Sequence, residues 1–165
     1  LIDTIHIQIE RNEFDFKKEL INLIKEEKTA HFNQTISLDL QYLLSTTIIY
    51  ASKFHLICAI RNLIDNAIKY GKANPQIAII CYQEKNNLII EVKDDGQRIP
   101  KEKQNLIFNK YYQVIDKNSG QKRKGYGLGL NYVYNVIKLH KGKIFLNSTP
   151  GNGCTFTIKL RKWRK

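Results

Sequence analysis

Methionine does not occur in the 165 residues, and the chain starts abruptly at LIDTIHIQIE with no signal-peptide pattern. That start reads as the edge of an excised fragment. Cysteine is nearly as scarce. Cys58, Cys81 and Cys154 lie far apart and in no C-x-x-C spacing, which argues against a disulfide framework or a zinc site and favours small buried thiols in a reducing compartment. No apolar run approaches the ~20 residues that cross a bilayer. Internal repeats are absent, as is any G-x-x-x-x-G-K-[ST] phosphate loop. Acidic residues are the minority charge, 15 against 27 Lys and Arg, for a net charge of +12. A basic balance suits nucleic acid, anionic lipid or an acidic small ligand such as a nucleotide. Here the positive charges are spread along the chain, with local density at Lys122, Arg123 and Lys124 and at the terminal RKWRK (161–165). A solvated surface accounts for most of them and a frayed tail for the last. No aromatic-basic interleaving on one face supports nucleic-acid binding, and no membrane contact is expected of this domain.

What is there is enough for one domain with its own core. IHIQIE (5–10) alternates as a half-buried strand does. In FDFKKELINLIKEEKTAHF, Phe16, Leu20, Leu23 and Ile24 keep helical spacing and Asp15 is placed to cap the start. TISLDL (35–40) and TTIIY (46–50) read as short strands. Ser52 stands before a long helix over residues 53–70, stopped by Gly71 and Pro75. QIAIICYQ and LIIEVKD flank a hairpin turn at residues 85–87, Pro100 opens a short helix through residue 108, and residues 113–126 form a basic, aperiodic loop. A helix over about 128–140 and a closing hairpin around residues 150–153 complete an α+β chain. The expected architecture is a two-layer α/β sandwich, its mixed, mostly antiparallel sheet covered on one face by helices.

Three constellations could carry chemistry. Along the 53–70 helix, Leu56, Ile60, Leu63, Ile64, Ala67 and Ile68 form an apolar stripe, while Asn62, Asn66, Lys69 and Tyr70 line a neighbouring face. Asparagine is a poor helix-interior residue, so the pair is either a solvent-exposed polar face or a magnesium ligand set with Lys69 against phosphate. In VKDDGQRIP (92–100), Asp94, Asp95 and Gly96 suit an ordinary turn, or else a buried strand-end carboxylate that accepts from an exocyclic amine while Gly96 lets a ring lie against the backbone. In KGYGLGLNYV (124–133), Gly125, Gly127 and Gly129 suit a linker, a turn, or a loop whose N–H groups bind phosphate at a helix start.

Taken together and in order, these segments resemble the catalytic, ATP-binding domain of bacterial sensor histidine kinases, within the wider ATPase and kinase group that includes gyrase, Hsp90 and MutL (the Bergerat fold). NLIDNAIKY (62–70) resembles the N box, DDGQRIP (94–100) the G1 box, IFNKYYQ (107–113) the F box, GYGLGL (125–130) the G2 box, and STPGNGCTFTIKL (148–160) the closing hairpin. The resemblance implies Asn66 as the Mg²⁺ ligand with Asn62 beside the phosphates, Lys69 on phosphate and Tyr70 against the nucleotide. It implies Asp94 on the adenine amine, Gly96 and Ile99 shaping the adenine pocket, and Thr155 bonding near the adenine. Gly125, Tyr126, Gly127, Leu128, Gly129 and Leu130 would wrap the triphosphate, with Lys122, Arg123 and Lys124 in the lid over residues 113–126.

The chain departs from the family pattern where Arg98 replaces the last glycine of the G1 box and where Gln113 ends the F box in place of a basic residue. An arginine at 98 must point away from the nucleotide or reach across to a phosphate. None of His6, His31, His55 or His140 has an H-box setting, so the phosphoacceptor lies elsewhere, and His140 reads as structural. Residues 1–5 then read as the remnant of a preceding dimerisation helix.

The implied function is an ATP- and Mg²⁺-dependent histidine kinase domain of a two-component system, a transferase acting in signal transduction and cytoplasmic within a parent phosphoprotein that is itself membrane-bound or soluble. Its partners would be a dimerisation and phosphoacceptor domain of the same protein and a response-regulator receiver domain. The alternative is a regulatory nucleotide-binding module without transfer activity. Replacing Lys122, Arg123 and Lys124 together with Ala is expected to weaken ATP binding more than adenosine binding in titration calorimetry; equal losses would remove the lid from the phosphate site.

Overall fold

A computed structural model of the chain describes residues 7–113, 126–149, 151–161 and 163–164. Among these, the order is β1 (Asn12–Asp15), α1 (Phe16–Ala30), β2 (Ser37–Tyr42), β3 (Ile48–Ala51), α2 (Lys53–Tyr70), β4 (Gln76–Glu84), β5 (Asn87–Asp94), a single 3₁₀ turn (Lys101–Lys103), α3 (Gly129–Leu139), β6 (Lys143–Ser148) and β7 (Cys154–Arg161). Five strands form one sheet in the order β2-β4-β5-β7-β6. Only the β2–β4 pair is parallel; β4–β5, β5–β7 and β6–β7 are antiparallel. The helices cover one face, so the expected two-layer sandwich is the observed one.

The period of two in each strand decides what faces the helices. Ile77, Ile79 and Cys81 of β4, Leu88, Ile90 and Val92 of β5, and Phe156, Ile158 and Leu160 of β7 are buried in one core. Leu56, Ala59, Ile60, Leu63, Ile64 and Ala67 of α2 and Val133, Val136 and Ile137 of α3 join them. Each Leu or Ile buried this way contributes roughly 1.5–3 kcal/mol. Helix α1 begins where its capping residue dictates: the Asp15 side chain accepts from the Lys18 N–H at 2.9 Å.

The first strand differs from expectation. Residues 7–10 keep their alternating burial but form no strand; β1 lies at Asn12–Asp15 and pairs antiparallel with β3, Asn12 opposite Ala51 and Asp15 opposite Ile48. Alternation gives a segment two faces but no hydrogen-bonding partner, and the chain meets the β3 edge only at Asn12. The expected helix through residue 108 is likewise reduced to one 3₁₀ turn. Ile107 is buried while its neighbour Leu106 is exposed, so the segment has no apolar stripe to dock as a helix.

Ser52 occupies the cap position of α2, yet its side chain makes no cap bond. Its backbone N–H instead donates to Nε2 of buried His140, 3.0 Å away. Because an amide N–H only donates, Nε2 must accept. Nδ1 therefore carries the proton and donates to the Val136 carbonyl at 2.8 Å. The imidazole thus joins the end of α3 to the start of α2 as a neutral structural group. Burial, followed by the nearby Arg11 and His55 charges, lowers its pKa from the ordinary 6.5 against the opposing pull of the Val136 bond. The unfolded chain therefore binds this proton first, and the fold loses stability as pH falls below 6.5. Urea denaturation at pH 7.5 and pH 5 is expected to show that loss, and His140→Gln is expected to be less stable at pH 7.5 but flatter in its pH dependence; an unchanged slope would contradict the neutral ring.

Candidate functional site

A cleft of about 390 Å³ opens between α2, the loop after β5, the turn after the 3₁₀ segment and the start of α3. Its floor begins on β5. Leu88, Ile90 and Val92 face the core, so the next residue in that alternation, Asp94, is carried inward at the strand end, in register with Ile77 on one side and Cys154 on the other. Asp94 lines the cleft. Burial raises its pKa, opposed by hydrogen bonds from the backbone of Gly96 and Cys154. The Gly96 N–H lies 2.8 Å from its Oδ1. Asp95, of the opposite parity, behaves oppositely: it accepts from the Gln76 N–H at 3.0 Å and pairs with Lys72 at 3.3 Å. Those contacts hold its carboxyl below the usual range. One aspartate latches the loop and the other offers a desolvated acceptor to the cleft.

The opposite wall is α2. With its apolar stripe buried, Asn62, Asn66, Lys69 and Tyr70 all line the cleft. Asn62 donates to the Cys58 carbonyl at 2.8 Å. Asn66 is different: its Nδ2 is buried and has no hydrogen-bond partner among the described residues, which marks an amide placed for a ligand. Rotation about the terminal bond presents the amide oxygen instead at equal volume, and that oxygen is a suitable hard donor for Mg²⁺. The Lys69 ammonium lies over the Tyr70 ring, 5.4 Å from its centroid.

Helix α3 closes the third side. Tyr126, Gly127, Leu128, Gly129 and Leu130 line the cleft, and the cap residue of α3, Leu128, makes no side-chain cap bond. The first-turn N–H groups and the positive end of the helix dipole suit an anion. Gly127 is required by geometry: its φ is +68°, and a Cβ there would stand 2.7 Å from the Tyr111 carbonyl carbon. The Tyr111 N–H also donates to the Gly127 carbonyl at 3.0 Å. At Gly129 a Cβ would meet Asn62 Oδ1 at 2.8 Å, so this glycine lets α3 approach the Asn62 amide. Asn131 Nδ2 donates to the Phe108 carbonyl at 2.9 Å and fixes the base of α3 to the turn after the 3₁₀ segment.

Two expected residues stand elsewhere. Thr155 pairs with Lys93 and Asn147 and falls on the parity away from the cleft; Cys154 and Phe156 line it instead. Gly96 does not line the cleft either. A Cβ there would meet Asp94 Oδ1 at 2.8 Å and Gly71 Cα at 3.1 Å, so it serves the approach of the loop to the end of α2 and not a ring in the cleft. Ile99 is placed as expected, held by its N–H to Ser148 Oγ at 2.9 Å. Arg98, an exposed residue, is among those that line the cleft. Lys122, Arg123, Lys124 and Gly125 lie outside the described residues.

The site also uses residues that motif reading passed over: Asp65, Ala67, Ile107, Tyr112, Cys154 and Phe156. The alternation C-T-F-T-I-K-L already contained the last two, since Cys154 and Phe156 share the parity of Ile158 and Leu160. Asp65 carried no signal beyond its place between the two asparagines.

Comparison with known proteins supplies the rest. Residues 52–164 match the family described as Histidine kinase-, DNA gyrase B-, and HSP90-like ATPase. The chain is 35% identical over 81% of its length to the sensor protein RprX of Bacteroides fragilis, covering 25% of that protein. It is 33% identical over 94% of its length to the signal transduction histidine-protein kinase ArlS of Staphylococcus haemolyticus, covering 34% of it. The chain thus spans about a quarter to a third of these curated relatives. In fold it is similar to the nucleotide-free catalytic domain of histidine kinase ThkA, with a TM-score of 0.80 at 22% identity, covering 93% of this chain and 99% of that one. Full-length ShkA in complex with AMPPNP gives a TM-score of 0.82 at 17% identity, with 96% of this chain and 32% of that one covered.

The glycine geometry is directly testable. Gly127→Ala is expected to cost more than Gly151→Ala, because both adopt positive φ but only the first meets backbone. The left-handed conformation costs each about 1–2 kcal/mol, and the Tyr111 clash adds to the first; equal denaturation midpoints for the two variants would refute the close approach.

Proposed function

This chain belongs to the family of histidine kinase-, DNA gyrase B- and HSP90-like ATPases, and on that premise we propose that it is the ATP-binding catalytic domain of a sensor histidine kinase, passing the γ-phosphoryl group to a histidine on a separate dimerisation domain. The observation that carries the reading is the make-up of one cleft, which brings together the desolvated carboxylate of Asp94, the buried Asn66 amide, Lys69 and the start of α3. Adenine and a triphosphate call for those groups.

In this reading Asp94 accepts from the adenine amine, and Ile99, Ile107 and Phe156 exclude water from the ring. Asn66 would hold Mg²⁺ through its amide oxygen, and the ion would neutralise charge on the phosphates. Lys69, Arg98 and the first turn of α3 add further positive charge, and the basic run Lys122, Arg123 and Lys124, which lies outside the described residues, would add to it. Phosphoryl transfer asks for positioning and charge neutralisation more than covalent chemistry from the protein. The acceptor imidazole nitrogen forms the new N–P bond, the bond from the γ-phosphorus to the bridging oxygen breaks, ADP departs, and the displaced imidazole proton passes to a group beside the acceptor. That acceptor and a receiver domain are the partners this reading requires. Among the described residues no helix is long and apolar enough to cross a membrane.

Asn66→Ala is expected to lower transfer of radiolabelled γ-phosphate to a purified acceptor domain by roughly a hundredfold or more, an interaction worth about 3 kcal/mol in the transition state, while circular dichroism stays native. Asp94→Asn is expected to weaken ATP and adenosine alike. Retained transfer in the Asn66 variant would overturn the assignment, and nucleotide binding without any transfer by the unaltered chain would favour the regulatory module.

A further inference from the structure

Sequence spacing offers no cysteine-based metal site, yet folding assembles a different donor set beside the cleft. Glu27 and His31 stand one turn apart at the end of α1, and Asp65 faces them from α2. One ligand atom from each lies within 4.8 Å of the other two. His31 Nε2 is 3.7 Å from Glu27 Oε2, too far for a hydrogen bond but close to the ~3.3 Å edge of a tetrahedron of Zn–N and Zn–O bonds.

The set is built as well as adjacent. The Glu27 side chain is only 5% exposed, and its two oxygens have separate tasks. Oε1 forms an ion pair with the Arg61 guanidinium at 3.1 Å, while Oε2 faces the imidazole. Arg61 is held in turn by Glu26, so it orients the Glu27 carboxylate in the way an outer-shell group orients a metal ligand without covering the oxygen that would bind. The Asp65 carboxylate makes no ion pair or hydrogen bond among the described residues. Desolvation raises the pKa of both acids, opposed in part by the charges of Arg61 and His31.

We infer that Glu27, His31 and Asp65 form a binding site for a borderline divalent transition metal of the Zn²⁺ class, which ties the end of α1 to α2 beside the nucleotide cleft. One imidazole nitrogen and two carboxylate oxygens suit Zn²⁺ better than Mg²⁺, which prefers an octahedron of oxygens and keeps its waters. Three protein ligands leave a fourth position open to water. Asp65 also lines the nucleotide cleft, but none of the three ligands is assigned a role in phosphoryl transfer.

The test uses the whole chain, stripped of metal with chelator and free of nucleotide. One equivalent of Zn²⁺ is expected to bind by calorimetry and to raise Tm by ~5 °C at a hundredfold excess over Kd, while Mg²⁺ leaves Tm unchanged. Co²⁺ is expected to give the intense visible bands of a four-coordinate ion without the near-ultraviolet thiolate band that Cys58 would produce. His31→Ala and Asp65→Asn, both at positions with exposed surface, are expected to keep the native circular dichroism spectrum and to bind Zn²⁺ at least tenfold more weakly. No Tm shift in the unaltered chain, a thiolate band, or unchanged affinity in both variants would overturn the proposal.

Discussion

Burial of one stripe of α2 against the sheet fixes the rotation of that helix, and most of the cleft follows from it. Leu56, Ala59, Ile60, Leu63, Ile64 and Ala67 are buried. Four of them are Leu or Ile, each contributing roughly 1.5–3 kcal/mol. The propensity cost of two asparagines inside a helix is under about 0.7 kcal/mol each, so packing decides and the polar residues go where packing sends them. Lys69 is exposed, whereas Asn62 and Asn66 are half-buried. The two asparagines stand at the margin of the core, where a side chain is desolvated on one side and open to a ligand on the other. The unpaired Asn66 amide is the result.

The same margin organises the charges. At the end of β5 two consecutive aspartates are separated by strand parity. Asp94 is turned in and its carboxyl pushed up by burial; Asp95 is turned out and held down by the Gln76 N–H and Lys72. Lys69, Arg98 and the start of α3 line the same cleft as Asp94. On the α1 side of α2, Arg61 spans Glu26 and Glu27 and leaves one Glu27 oxygen turned toward His31. A single helix therefore presents three chemistries around its circumference: apolar to the sheet, amide and lysine to the cleft, and carboxylate to α1.

Much of this was legible in the residues. The alternation L-I-I-E-V-K-D carries Asp94 inward on the parity of Leu88, Ile90 and Val92. The capping of α1 by Asp15 and the span of α2 follow from local pattern, because caps and amphipathic stripes are encoded within a few residues. The family resemblance placed Asn66, Lys69 and Ile99 at one site, and all three line one cleft. Parity also marked Cys154 as the inward residue of the last strand, although motif correspondence pointed to Thr155. The strand expected at IHIQIE shows the limit: its alternation was real, but pairing depends on where the β3 edge lies.

The order of elements, the apolar stripes and the parity of each strand belong to the sequence by itself, since they depend on contacts within one turn or one pleat. Tertiary structure decided what those elements face. Gly127 is needed because Tyr111 packs against it, Gly96 because the loop after β5 approaches the end of α2, and Gly129 because Asn62 reaches the first turn of α3. The neutral tautomer of His140 is set by an amide 88 residues away. Contacts between segments distant in the chain leave no periodic trace, because each side of such a contact is locally an ordinary residue.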